Sequence, residues 1–201
     1  MNVYVETNFV LELALAQEQR SSCEALLRFG EERRVRILLP AYSLAEPYET
    51  LKRRRQRRSH VNGMLEQEIG ELARSAFYAE QVQSFAGVSS LLLDSTVEEI
   101  QRFEAVRAQL LRGTEIIPLD REILESTADL QASYGLDPQD ASILASVLVH
   151  LGRETSSQSC FLSRDKDFDD PNLVARLRQH GCKLLSRFDD GAGYVQSVLS
   201  R

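Results

Sequence analysis

The chain begins with an apolar run, Val3–Tyr4–Val5, which suits one buried strand and is too short for a helix. A helix is expected next, capped by Thr7 or Asn8 and running to about Arg20, and a second from about Ser22 to Arg33. Val35–Leu39 predicts a strand that Pro40 ends, and Ser43 opens another helix. From Ser59–Gly63 onward the pattern stays helical, with Ser95-x-x-Glu98 read as a capping box that starts a helix toward Leu111. Glu115–Leu119 predicts a short strand, after which Asp120 caps the next helix. Pro138 suits the first turn of a helix reaching His150. Cys160–Ser163 predicts a strand, Asp170–Pro171 a helix closed by Gly181, and Cys182–Leu185 a last strand. Strands and helices thus alternate at both ends, the pattern of an α/β fold with a parallel sheet flanked by helices. Residues 60–113, nearly all helical, read as a long insertion within one domain spanning 1–201.

Composition narrows the classes. With 201 residues, 43% hydrophobic and 27% charged, the chain is of ordinary globular type and long enough for one sizeable core. Met1–Val5 lacks a basic region followed by an apolar stretch, so no export signal is expected. The longest mainly apolar run, Ile143–Leu151, falls well short of the roughly 20 residues that cross a bilayer. Cys23, Cys160 and Cys182 are scattered and include no Cys-x-x-Cys pair, which suits buried thiols in a reducing, cytoplasmic setting. A net charge of −6 argues against a protein that coats DNA, while leaving room for an enzyme with local cationic contacts. His60, His150 and His180 lack zinc spacing, and no nucleophile elbow, Walker loop or dinucleotide fingerprint occurs.

The candidate chemistry lies in the acids. Glu6 follows the first strand, and Asp165 stands two residues beyond Ser163, at the end of another. In open parallel α/β sheets, sites form at the carboxyl ends of strands, so these two can meet there. Each is equally explained as a helix cap or a solvated loop residue. Asp140 is more telling. At about 100° per residue, Leu144, Val147 and Leu151 lie within roughly 40° of it, and a carboxylate on a core-facing stripe needs a partner or a metal. The alternative is a first-turn acid favoured by the helix dipole. Glu46 lies about 140–200° from Leu44, Tyr48 and Leu51, the expected buried face of its helix, and so faces either a cleft or solvent.

Four segments, in this order, resemble PIN-domain nucleases, including the VapC-type toxins of bacterial toxin–antitoxin pairs. They are Val3–Asn8, Ser43–Glu46, Pro138–Ala145 and Leu162–Phe168. The resemblance implies a parallel sheet between helices and Mg²⁺- or Mn²⁺-dependent cleavage of single-stranded RNA. It carries the family's catalytic acids onto Glu6, Glu46, Asp140 and Asp165, and its metal-site acids onto Glu6, Asp140, Asp165 and Asp167. Asn8 and Ser163 match polar residues that hold the site together. The expected partners are single-stranded RNA, with an antitoxin protein and a homodimer left open, and no membrane. Two departures stand out: Glu6 replaces the usual Asp, and the stretch 60–113 is longer than in the compact toxins. The competing reading is a PIN-like module that binds RNA or protein without cleaving it.

The run Lys52–Arg58 carries six cations in seven residues. Such a run is often only a solvated helix end. Its phase adds a second reading, because Arg53 and Arg57 lie within about 20° of Glu46 along the helix. They would form a track of roughly 10–16 Å from the site, suited to successive phosphates or to an acidic antitoxin segment.

Overall fold

All three residues of the first apolar run are buried, together with Asn2 before them, as a strand covered on both faces requires. The computed structural model describes residues 1–154 and 158–200. In chain order its elements are β1 (Asn2–Val5), α1 (Thr7–Leu15), α2 (Arg20–Glu31), β2 (Arg36–Pro40), α3 (Tyr42–Ala73), α4 (Ala79–Gln83) and α5 (Ala86–Gly113). There follow β3 (Glu115–Ile117), α6 (Arg121–Tyr134), α7 (Pro138–Arg153), β4 (Ser159–Leu162), a 3-10 turn (Lys166–Asp169), α8 (Pro171–Gln179), β5 (Cys182–Leu185) and α9 (Phe188–Leu199).

The five strands form one parallel sheet in the order β3-β2-β1-β4-β5, so β1 is central. Successive side chains of β1 point to opposite faces. Val3 and Val5 join a core with Phe9, Leu26, Phe103, Leu110 and Phe188, drawn from α1, α2, α5 and α9. Tyr4 joins a second core with Leu38, Phe161, Ile123, Leu144 and Leu173, covered by α6, α7 and α8. Each Leu or Phe fully buried in these cores contributes roughly 1.5–3 kcal/mol. At Gly191 of α9 an added Cβ would stand 2.7 Å from Leu162 Cδ1, so the absence of a side chain lets α9 close on the end of β4. The three cysteines are buried free thiols, and no helix among the described residues is long and apolar enough to cross a membrane.

Several local expectations need correction. Glu6, not Thr7 or Asn8, caps α1, because its carboxylate reaches the Asn8 N–H. Helix α1 stops at Leu15, five residues before Arg20: Ala16 turns left-handed at φ 53°, and Arg102 of α5 donates to the Ala14 carbonyl. Ser95 opens no helix. It lies inside α5, and its hydroxyl donates to the Leu92 carbonyl of the preceding turn. The third strand ends at Ile117, short of Leu119. Asp120, Pro138 and Asp170 occupy the helix starts that the sequence assigns them.

Candidate active site

Register brings the first site residues together. Val5 of β1 pairs with Leu162 of β4, so Glu6 and Ser163 leave the sheet side by side at its carboxyl edge. Glu6 keeps an extended backbone as it enters α1, and its Oε2 accepts from the Asn8 N–H at 2.6 Å. Its side chain is only 2% exposed, and Oε1 is buried without a hydrogen-bond partner. Burial pushes the Glu6 carboxyl up to about 8; the Asn8 amide and Ser163 hydroxyl pull it down, and the negative charges of Asp165 and Glu46 add to the rise.

The other acids come from three further elements. Asp140, half-buried in the first turn of α7, is raised to about 7, chiefly by burial and then by Asp165, Glu46 and Asp167. Glu46 of α3 accepts a short hydrogen bond from the Thr7 hydroxyl. Asp165 starts the 3-10 turn: its N–H donates to Ser163 Oγ at 3.0 Å, and its Oδ1 accepts from the Asp167 N–H at 2.9 Å. The negative charges of Asp165 and Glu46 act on both Glu6 and Asp140, so these acids neighbour one another, and the exposed Asp167 acts on Asp140 as well. Asn8 supports the cluster through its backbone N–H.

The cluster is open. Among the described residues, no group of three or more His, Cys, Asp or Glu side chains is arranged to hold a metal ion. Two unit charges about 4 Å apart would cost roughly 4 kcal/mol at an effective dielectric of 20, so acids drawn closer need protons or a cation. The carboxylates turn instead to local donors: Glu46 to Thr7, Glu6 to Asn8, Asp165 to Asp167. The donor set nonetheless fits a hard divalent cation, because it is all carboxylate oxygen and the buried Glu6 Oε1 lacks a partner.

The buried stripe of α3 differs from the expected one. Ser43, Pro47 and Leu51 are buried, while Tyr48 is exposed and packs edge-on against Phe103 of α5. Because α3 packs against both α1 and α5, its buried side is rotated, and Glu46 is left half-buried beside the site rather than opposite the core. Of the basic run, Arg54 and Arg58 turn inward to the nearly buried Glu99 of α5, whereas Arg53 and Arg57 are exposed.

Sequence reasoning passed over three features here. Thr7 is the donor to Glu46, and Tyr42 stands near enough to Glu46 and Asp140 for both to raise its phenol, after burial. The third is a buried clamp. Glu12 on α1 accepts from the Gln19 N–H at 2.9 Å and forms a short ion pair with Arg164, the residue before Asp165. Gln19 in turn accepts from the Phe188 N–H at the start of α9. Glu12 was detectable as a lone charge among Phe9, Val10, Leu13 and Ala14 on a short apolar helix. The family model of the PIN domain matches residues 3–168 of the chain. No curated protein matches it.

Proposed function

The chain belongs to the PIN-domain family, whose members are generally nucleases that use divalent metals, and we propose that it is a Mg²⁺- or Mn²⁺-dependent endoribonuclease of single-stranded RNA. The observation that carries this reading is the convergence of Glu6, Glu46, Asp140 and Asp165, from four separate elements, at the carboxyl edge of the parallel sheet. Glu6, Asp140 and Asp165, with Asp167 at the rim, would hold the metal, which when bound lowers the pKa of water and neutralises charge on the scissile phosphate. Glu46, held by Thr7, orients the attacking water and accepts its proton. Ser163 and the Asn8 amide fix the carboxylates around it. Arg53 and Arg57, exposed further along α3, grip phosphates of the strand beyond the cleaved bond. The biological setting we propose is a toxin restrained by an antitoxin, which predicts an antitoxin-sized reading frame beside the gene.

The test is cleavage of a diverse RNA pool by purified protein. Cleavage with Mn²⁺ or Mg²⁺, lost with chelator and in Asp140→Asn, is the expected result. No metal-dependent cleavage across the pool would sink the enzyme reading. The second reading, a module that binds RNA or protein without cutting, is favoured by one observation: Glu6 commits an oxygen to capping α1 while the acids stay open. It predicts RNA or protein binding that Asp140→Asn leaves unchanged.

A further inference from the structure

Helix α1 buries a full charge. Glu12 sits among Phe9, Val10, Leu13 and Ala14 and is 0% exposed. Both of its oxygens are used: Oε2 accepts from the Gln19 N–H at 2.9 Å, and Oε1 forms a short ion pair with the Arg164 guanidinium. Gln19, itself buried at the start of α2, accepts from the Phe188 N–H at 2.6 Å. The exposed Glu18 stands 3.7 Å from the same guanidinium. One carboxylate thereby ties together α1, the turn into α2, the start of α9 and the loop that leaves β4.

That loop carries Ser163, Arg164 and Asp165, and it meets α1 at two points. Ser163 leaves the sheet beside Glu6, at the start of α1, and its hydroxyl acts on the Glu6 carboxyl. Arg164 reaches Glu12, about 9 Å further along the same helix. The hydrogen bonds of Asp165 among the described residues stay within its own turn, its N–H donating to Ser163 Oγ and its Oδ1 accepting from the Asp167 N–H. Those bonds shape the turn but do not fix it to a helix. Against an apolar pair of similar volume, a buried ion pair often adds no net stability, so the Glu12–Arg164 pair draws attention to the geometry it fixes.

We propose that Arg164 is a positioning residue of the site: anchored on Glu12, it sets the loop after β4 against α1 and so fixes Asp165 relative to Glu6. It acts through Asp165 and takes no part in the chemistry itself. A guanidinium suits this role because its planar fork is directional, which a flexible ammonium is not. The catalytic consequence rests on the nuclease reading, whereas the placement of Asp165 does not.

Amide hydrogen exchange of the full chain in chelator, read by NMR at the Asp165 and Asp167 N–H, tests the placement. Glu12→Gln/Arg164→Met removes both charges while the carboxamide still accepts from the Gln19 N–H, so helical circular dichroism should persist. Both amides should then exchange about tenfold faster than in the parent. Arg164→Lys, which keeps the charge without the fork, should give a smaller acceleration. Ile123→Ala on α6 lowers global stability by opening a cavity in the other core, and should leave both amides near the parent's rate. With Mn²⁺ as the probe, the double variant should bind the ion about 10- to 100-fold more weakly, the scale of losing an outer support of a metal site. Ile123→Ala should bind it as the parent does. Unchanged exchange at Asp165 and Asp167 in the double variant overturns the proposal. So does equal acceleration in Ile123→Ala, which would reduce the clamp to global stability, and so does a double variant that binds Mn²⁺ as tightly as a binding parent. A parent that neither binds Mn²⁺ nor cleaves RNA removes the nuclease reading, and the exchange rates still decide whether Arg164 places Asp165.

Discussion

Glu6 stands where the resembling family places a shorter acid, so its carboxylate lies about one bond length further out, and octahedral Mg²⁺ is exacting at about 2.1 Å. Glu6→Asp should therefore cleave RNA at least as fast as the parent. Glu6→Gln should lose roughly 10- to 100-fold, the scale of removing support from a metal site. Single-turnover cleavage at saturating Mn²⁺ measures both, and a Glu6→Gln enzyme equal to the parent removes Glu6 from the site. A second prediction concerns Arg164. It holds the buried carboxylate of Glu12, so Arg164→Met should strand that charge and destabilise the fold by about 3 kcal/mol. Glu12→Gln combined with Arg164→Met should recover part of the loss, because the carboxamide leaves a hydrogen-bonding group and no charge to bury. Urea unfolding reads the difference; equal midpoints for parent and Arg164→Met would show that the pair carries no stability. Glu6, Asp140 and Asp165 stood out in the sequence because each follows a strand or opens a helix, whereas Glu46, in the second turn of α3, came only from the order of the resembling segments. The pairing of Glu12 with Arg164 and of Thr7 with Glu46 was not legible, because the partners lie 152 and 39 positions apart.

Elements were legible where local chemistry decides them and illegible where packing does. The strands β1, β2, β4 and β5 and the starts of α6, α7 and α8 follow apolar runs, Asp caps and Pro at the first turn, and the sequence reads all of them. Helix α9 was missed. Gly191 and Gly193 lower its propensity, and what holds it is tertiary: Phe188 and Val195 in the core and Gly191 against Leu162. The Ser95 box failed for the opposite reason, since a serine inside a helix can return its hydroxyl to the preceding turn. The phase of α3 was right for Arg53 and Arg57 and wrong for Tyr48, because α5 supplies a second packing surface that one sequence does not display. A prediction at this scale follows from the inward pairing of Arg54 and Arg58. Only Arg53 and Arg57 of this inner and outer set remain for phosphates, each adding about 0.7 to the slope of log affinity against log salt. Arg53→Ala in the Asp140→Asn background should flatten that slope by about 0.7. Adding Arg57→Ala should bring the loss to about 1.4. Sequence preference should hold, because phosphate contacts position and base contacts specify. An unchanged slope in the double variant returns the run to a solvated helix face.

For the whole molecule, the buried acids are a cost that the metal-free fold carries. The Glu6 carboxyl is raised from 4.5 to about 8 and the Asp140 carboxyl from 3.8 to about 7, each mainly by burial. Between its unfolded and folded values each group holds more proton in the fold than in the open chain, so stability falls as pH rises through that window, from about 4 to about 8. The half-buried His150, lowered chiefly by desolvation, works in the opposite sense below its ordinary 6.5, so parent and variant must be compared at each pH. Glu6→Gln/Asp140→Asn removes both carboxylates at near-constant shape. In chelator, the variant should melt higher than the parent at pH 8 and near the parent at pH 4, where the parent's acids are already protonated. On the proposed function, a divalent metal would bind the fold in competition with those protons, so Mn²⁺ should raise the parent's melting temperature more at pH 8 than at pH 5. The double variant should show little response at either pH. Thermal melts at three pH values, with chelator or millimolar Mn²⁺, decide the matter. A parent whose melting ignores Mn²⁺ at pH 8 lacks a metal-binding cluster. A variant that keeps the parent's pH slope places the buried charge elsewhere than Glu6 and Asp140.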